Sequence, residues 1–302
     1  MTPRWKMKPM DPGSRVAPRK ILLATDFSPA SEVALPYALA LAGHYGSDLY
    51  VAHVIYLALM DFLPAEETAK KLQHTRRFTE QKLEPLLEAA RKKGIHCQPL
   101  IGEGAVWDVL LEMVHQNGID LIIVGTHGRQ GLAKLLLGSV AEEVLRMAPC
   151  PVLTVGPKAS EAPAMDAQLR HIPCPVEFAP DTSDAADYVV SLAEKFHAEL
   201  TFMKVFEEMA ASPEEKAQIQ EPVRHWLDDH VSVKSSLRER TRFQLGFGRA
   251  PEAILKFASE HGADLIVMSV NCLDPVMAAH LPEPDTAYEV VRAASCPVLT
   301  VR

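Results

Sequence analysis

No stretch of this 302-residue chain is apolar for long enough to cross a bilayer, which takes about 20 consecutive apolar residues. The longest apolar run, Leu49 to Met60, is shorter and is interrupted by His53. The first twenty residues lack the apolar core of a secretory signal. Cysteine is scarce: Cys97, Cys150, Cys174, Cys272 and Cys296 form an odd set with no C-x-x-C pair. That excludes a zinc or dithiol motif and fits a reducing compartment. No histidine grouping, His225 and His230 included, has the spacing of a metal site. A basic surplus is missing too, since the formal net charge is -8. A general nucleic-acid binder needs a basic surface to neutralise phosphates. These absences imply a soluble, cytoplasmic protein with no nucleic-acid partner and no membrane span.

What remains is ordinary globular composition, 48% hydrophobic and 23% charged, in a length that suits two domains. An internal repeat supports that number. Asp120-Leu121-Ile122-Ile123-Val124 recurs as Asp264-Leu265-Ile266-Val267-Met268, and Gly118 and Gly262 precede the two copies. Cys150-Pro151-Val152-Leu153-Thr154-Val155 recurs as Cys296-Pro297-Val298-Leu299-Thr300-Val301. Ile21 to Phe27 aligns with Ile172 to Phe178, His53-Val54-Ile55 with Lys204-Val205-Phe206, and Gly102-x-Gly104 with Gly246-x-Gly248. The matches keep one order. The expected units are a first domain over 19–156, a linker rich in Ala, Pro and charge over 157–170, and a second domain over 171–302. Residues 1–18 read as a disordered basic tail, broken by Pro3, Pro9, Pro12 and Pro18.

Within the first half, short apolar runs alternate with helical stretches. Strands are expected at 20–25, 49–55, 97–101, 121–125 and 151–155. A helix is expected from Ser28, an N-cap followed by Pro29, to about Tyr45. Further helices should cover 66–93, stopped by Gly94, then 105–116, closed by Gly118, and 138–147. This alternation predicts an α/β fold: two doubly wound, parallel, five-stranded, Rossmann-like sheets in tandem, related by a pseudo-two-fold axis. In such sheets ligands sit beyond the carboxyl ends of the strands, where strand order reverses.

The loop after the fourth strand runs from Gly125-Thr126-His127-Gly128-Arg129 to Gly138-Ser139, and Gly138 opens a helix. Glycines let backbone N–H groups approach an anion, and a helix N-terminus adds free donors and a favourable dipole. The pattern points to a phosphate grip from two sides. Gly-x-x-Gly, nine residues and then Gly-Ser, as carried by Gly125, Gly128, Gly138 and Ser139, resembles the nucleotide motif of the universal stress protein family. The resemblance spans both halves, about 21–155 and 172–301. It implies that ATP binds with Mg2+ or Mn2+. Asp26 would lie near the ribose and the metal, and the backbone of Val54 would hydrogen-bond adenine. Gly125 and Gly128 would run along the ribose and phosphates, and Gly138, Ser139 and Val140 would hold the phosphates. Ala24, Thr25 and Thr126 complete the implied cofactor-binding set, which His127 and Arg129 flank. Arg129 is either a phosphate partner or a solvated loop residue, and His127 reads as a loop-stabilising histidine. No residue is assigned a catalytic role.

The second half departs from the motif. Glu177 stands for Asp26, the glycine-rich loop becomes Ser269-Val270-Asn271-Cys272-Leu273-Asp274, and Asp285 puts negative charge where phosphate would sit. Nucleotide is therefore expected in the first half only. In the family such terminal strands pair across a two-fold axis, so 151–155 and 297–301 should pair as an intramolecular pseudo-dimer, and a homodimer is a further option. The function implied is a nucleotide-responsive stress or regulatory protein with an unknown protein partner. The alternatives are a slow ATPase or phosphoryl- or adenylyl-transfer enzyme, and a scaffold or chaperone-like protein. No Walker A sequence and no lysine placed for β- and γ-phosphates supports the enzyme.

Overall fold

The protein is described here by a computed structural model covering residues 17–57, 64–126, 137–161, 169–177, 183–207, 236–270 and 286–301. The expected basic tail up to residue 16, and residues 127–136 and 271–285, lie outside the described residues. The first half runs β1 (Lys20–Ala24), α1 (Pro29–Glu32), α2 (Leu35–Tyr45), β2 (Asp48–Ile55), α3 (Ala65–Lys92), β3 (Cys97–Glu103), α4 (Val106–Asn117), β4 (Leu121–Gly125), α5 (Ser139–Met147) and β5 (Val152–Val155). The second runs β6 (His171–Pro175), α6 (Ser183–Phe196), β7 (Glu199–Phe206), β8 (Thr241–Phe247), α7 (Ala250–Glu260), β9 (Ile266–Ser269), α8 (Thr286–Ala293) and β10 (Val298–Val301). Short 3-10 turns at Pro157–Glu161 and Arg238–Arg240 complete the described secondary structure.

The first half is a five-stranded parallel sheet of order β3-β2-β1-β4-β5. β1, β4 and β5 are buried on both faces, which explains their largely apolar runs, while the edge strand β3 is partly exposed. Glycines in left-handed conformation end α2 and α4, at Gly46 (φ 69°) and Gly118 (φ 62°), where a Cβ would be strained. The expected single helix from Ser28 to Tyr45 is instead two helices. Pro36 has no N–H to give the carbonyl of Glu32, so the first helix stops and the chain restarts at Leu35.

Among the described residues the second half repeats the strand order with a difference in its hydrogen bonding. β6, β7 and β8 form one parallel ladder, while β9 and β10 continue the sheet of the first half. β6 still lies alongside β9, and Asp264 N–H donates to His171 O at 3.0 Å. Alternate residues of a strand face opposite neighbours. Arg170 O and Val176 N–H bond to β7, so His171, Pro173 and Pro175 turn their nitrogens toward β9. Two of those three positions are proline and have no proton to give. The ladder between β6 and β9 therefore stays open although the strands are neighbours.

The halves join through β5 and β10, the one antiparallel pair among the described strands. Leu153 faces Leu299, flanked by Thr154 with Val298 and Val152 with Thr300. The side chains obey the same two-fold relation. Thr154 Oγ1 donates to Val298 O at 3.0 Å, and Thr300 Oγ1 donates to Val152 O at 3.3 Å. On one face, His44 stacks on Phe196 at 4.2 Å and Lys195 Nζ sits 5.6 Å over the Tyr45 ring, each pair crossing the seam. The hydrophobic cores on both faces of the sheet run across this seam. The two halves are thus packed as one body rather than strung on a linker.

The repeat is also visible at the opposite end of the strands. The Asp120 carboxylate accepts the N–H groups of Arg19 and Lys20 at 2.9 and 3.1 Å. The Asp264 carboxylate does the same for Arg170 and His171 at 2.8 and 3.0 Å. No described helix is long and apolar enough to cross a membrane. No disulfide joins the cysteines among the described residues, and Cys150, Cys174 and Cys296 are buried. Burial raises the Cys174 thiol and pushes Cys296 up to about 12, so both stay protonated and unreactive at neutral pH.

Candidate functional site

Strand order reverses between β1 and β4, whose carboxyl ends lie side by side. The β1 loop is held by its own side chains. Ser28 Oγ accepts from Ser31 N–H at 3.2 Å, capping α1. Ser31 Oγ donates to Ser28 O at 3.0 Å, so in its 3.0 Å bond with Thr25 Oγ1 it accepts. Thr25 Oγ1 in turn accepts from Phe27 N–H at 3.0 Å. Asp26 Oδ1 accepts from Ser28 N–H at 3.0 Å, a turn in which the aspartate closes on the backbone two residues on. The imidazole of His53, on β2, stacks on the Phe27 ring at 4.4 Å. Its Nδ1 lies 2.8 Å from Thr25 O. A carbonyl can only accept, so Nδ1 carries the proton.

The β4 loop is anchored against this one. Thr126, 1% exposed, donates its N–H to Val155 O at 3.0 Å and accepts Gly138 N–H on its carbonyl at 2.8 Å. Thr126 and Gly138 therefore lie side by side. Gly125 is required by contact: a Cβ there would sit 2.5 Å from Ala30 O and 2.9 Å from Ser31 Cα. The backbone of α1 thus rests directly on the end of β4. Gly138 then opens α5 in extended conformation with no side-chain cap. The first N–H groups of α5 lack acceptors within the helix, and the macrodipole makes that end attractive to anions. Glu142 in its first turn is paired with Arg146 at 2.9 Å, which blunts the opposing charge.

Among the residues expected from sequence, Ala24 and Gly125 are the buried ends of β1 and β4, and Thr25 and Thr126 are the buried residues that follow. Asp26 is half-buried in the β1 loop. Gly138, Ser139 and Val140 form the start of α5, with Ser139 exposed. Val54 sits near the end of β2, opposite Gly102, one strand away from β1. His127, Gly128 and Arg129 lie outside the described residues. Sequence reasoning missed Phe27 and Ser31, although the Asp-x-Ser spacing of Asp26 and Ser28 is a turn signal that points to this loop.

The matching place in the second half is built differently. Glu177, the counterpart of Asp26, is ion-paired with Lys204, and Lys204 is the counterpart of His53. The Lys204 ammonium also lies 5.8 Å from the Phe206 ring centroid. This pair was findable from the repeat, because both residues sit at one offset from their counterparts. Val270 N–H still donates to Val301 O at 2.9 Å, as Thr126 does to Val155, but Ser269 replaces Gly125. Asn271 to Asp285 lie outside the described residues.

Strands and helices alternate in one order in both halves, and Gly125 and Gly138 bound the segment at the switch point of the first, which defines a tandem α/β architecture. The universal stress protein family model matches residues 18–156 and again 168–302. The chain belongs to the universal stress protein family and carries two of its domains. Universal stress protein MJ0531 of Methanocaldococcus jannaschii is 32% identical over 138 residues, 45% of this chain and 81% of that protein. A universal stress protein of Mycolicibacterium smegmatis is 35% identical over 139 residues, 46% of each chain. Among solved structures, a universal stress protein from Archaeoglobus fulgidus aligns over 94% of this chain and 98% of its own, with TM-score 0.66 and 21% identity. That likeness concerns the fold.

Proposed function

We propose that the first domain seats ATP with Mg2+ or Mn2+, and that the chain is a nucleotide-responsive regulatory binding protein whose second domain takes no nucleotide. The units are 19–156 and 171–302, and residues 157–170 connect them. The observation that carries the reading is the clasp of Thr126 O on Gly138 N–H at 2.8 Å. It brings the end of β4 and the uncapped start of α5 to one place, next to the fixed Asp26 turn. Phosphates would be held by the N–H groups of Ser139 and Val140 and by the Ser139 hydroxyl. Adenine would lie toward the backbone of Val54. The carboxylate of Asp26 offers the oxygen that hard divalent cations prefer. Among the described residues no group of three metal-ligating side chains forms a cage. Phosphate oxygens and water would therefore supply the other ligands, as is usual for Mg2+.

In the second domain the Lys204 ammonium neutralises the acid that would otherwise face a cation. A domain that keeps the seam but not the seat suits a fused dimerisation partner. Native mass spectrometry of the purified chain tests the reading. One nucleotide mass per chain is expected, and it should vanish in Gly138→Val. The extended backbone at this position (φ -65°, ψ 144°) accepts valine without strain. No nucleotide under any metal condition, or two per chain, refutes it.

A further inference from the structure

Phe27 holds a left-handed backbone, φ 60°, in the loop that carries Asp26. A residue with a bulky side chain avoids this region, and turns that need it normally use Gly, Asn or Asp. Such a conformation persists only where the surroundings fix it. Here three contacts do so. The Phe27 N–H donates to Thr25 Oγ1 at 3.0 Å. The ring stacks on His53 at 4.4 Å with 29° between planes. His53 is in turn held by the Thr25 carbonyl through Nδ1 at 2.8 Å. The reversal at Phe27 brings the next N–H, that of Ser28, back onto Asp26 Oδ1.

Glycine at this position would adopt the same turn without strain, but it would also adopt many others. The phenyl ring removes those alternatives by docking on the imidazole. We infer that Phe27 is a positioning residue for the nucleotide site: by locking the 25–28 turn it holds the Asp26 carboxylate in the orientation that meets the divalent ion. The inference rests on the nucleotide reading above and adds to it a residue that touches neither phosphate nor metal. It assigns a role to the stack as well. His53 is the surface against which the strained residue is pressed.

Isothermal titration with ATP, in Mg2+ and again in EDTA, separates this role from a general loss of folding. In Phe27→Gly and Phe27→Asn the gain in affinity that Mg2+ gives should shrink by about tenfold, while affinity in EDTA stays as in the wild type. Phe27→Tyr keeps the ring and should keep the wild-type ratio. Amide exchange in nucleotide-free protein gives a second readout, since Ser28 N–H should exchange faster in the glycine variant and not in the tyrosine variant. Wild-type Mg2+ dependence and unchanged Ser28 exchange in Phe27→Gly overturn the inference and leave the nucleotide reading intact. A wild-type chain that takes up no ATP in either buffer overturns both.

Discussion

Gly125→Ala tests the claim that the two site loops are held together by direct backbone contact. The methyl group would be placed 2.5 Å from Ala30 O, 2.9 Å from Ser31 Cα and 3.1 Å from Ala30 C. The closest of these lies roughly 1 Å inside a comfortable separation of about 3.5 Å. The obstructing atoms are backbone, so no rotamer change relieves the clash. Nor can α1 retreat alone, because Ser31 is bonded to Thr25 at the end of β1. Overpacking of this kind costs about 1–3 kcal/mol. At about 2–4 °C per kcal/mol for larger chains, the melting temperature should fall by about 2–12 °C. Differential scanning calorimetry of nucleotide-free protein measures this. An unchanged melting temperature would refute the reasoning, since it would mean that α1 does not rest on β4. The same variant separates two reasons for a glycine here: intrinsic packing predicts the loss without ligand, and close approach of a nucleotide alone predicts none.

Three further outcomes follow from particular residues. Ser139→Asp sets a negative charge at the start of α5, where it helps the helix by about 0.3–1 kcal/mol but repels phosphate by about 1–4 kcal/mol at contact distances. ATP affinity measured by titration should therefore fall roughly tenfold or more with no loss of melting temperature, and intact affinity would contradict the phosphate placement. His197, exposed at the end of α6 with φ 55°, stands where Gly46 ends α2. His197→Gly should raise the urea midpoint, by about 0.5–1 kcal/mol in stability, once the left-handed penalty is removed. Asp120 has its pKa raised, chiefly by burial, against the opposing pull of the Arg19 and Lys20 N–H bonds. A raised carboxylate favours folding below the unfolded aspartate pKa and loses that contribution as pH rises through the folded value. Urea melts across the acidic range should show this component, and Asp120→Asn should remove it.

Much of the fold was legible because its signals are local. Apolar runs gave β1, β4 and β5, Gly94 and Gly118 marked the ends of α3 and α4, and shared order revealed the repeat. β5 and β10 carry one sequence, and they meet about a two-fold axis through Leu153 and Leu299. What escaped depends on direction rather than type. Ser28 and Pro29 marked a helix start and the stretch to Tyr45 read as one helix, but the donor missing at Pro36 splits it into α1 and α2. Pro173 and Pro175 open a ladder only because their nitrogens face β9, a consequence of register that no local pattern encodes. Likewise Phe27 reads as an apolar residue between Asp26 and Ser28. Its left-handed backbone becomes apparent only when His53 is found stacked on it. At the site, motif spacing singled out Gly125, Gly138 and Ser139 as candidates, while the packing reason for Gly125 lay in α1, on another segment of the chain.

The asymmetry between the domains is the core of the account, and photolabelling with an azido-adenine analogue of ATP tests it most directly. Peptide mapping should place the label near Val54, at the end of β2 in the first domain, with competition by ATP. Label recovered chiefly from the second domain near Val205, at the corresponding end of β7, would contradict the account.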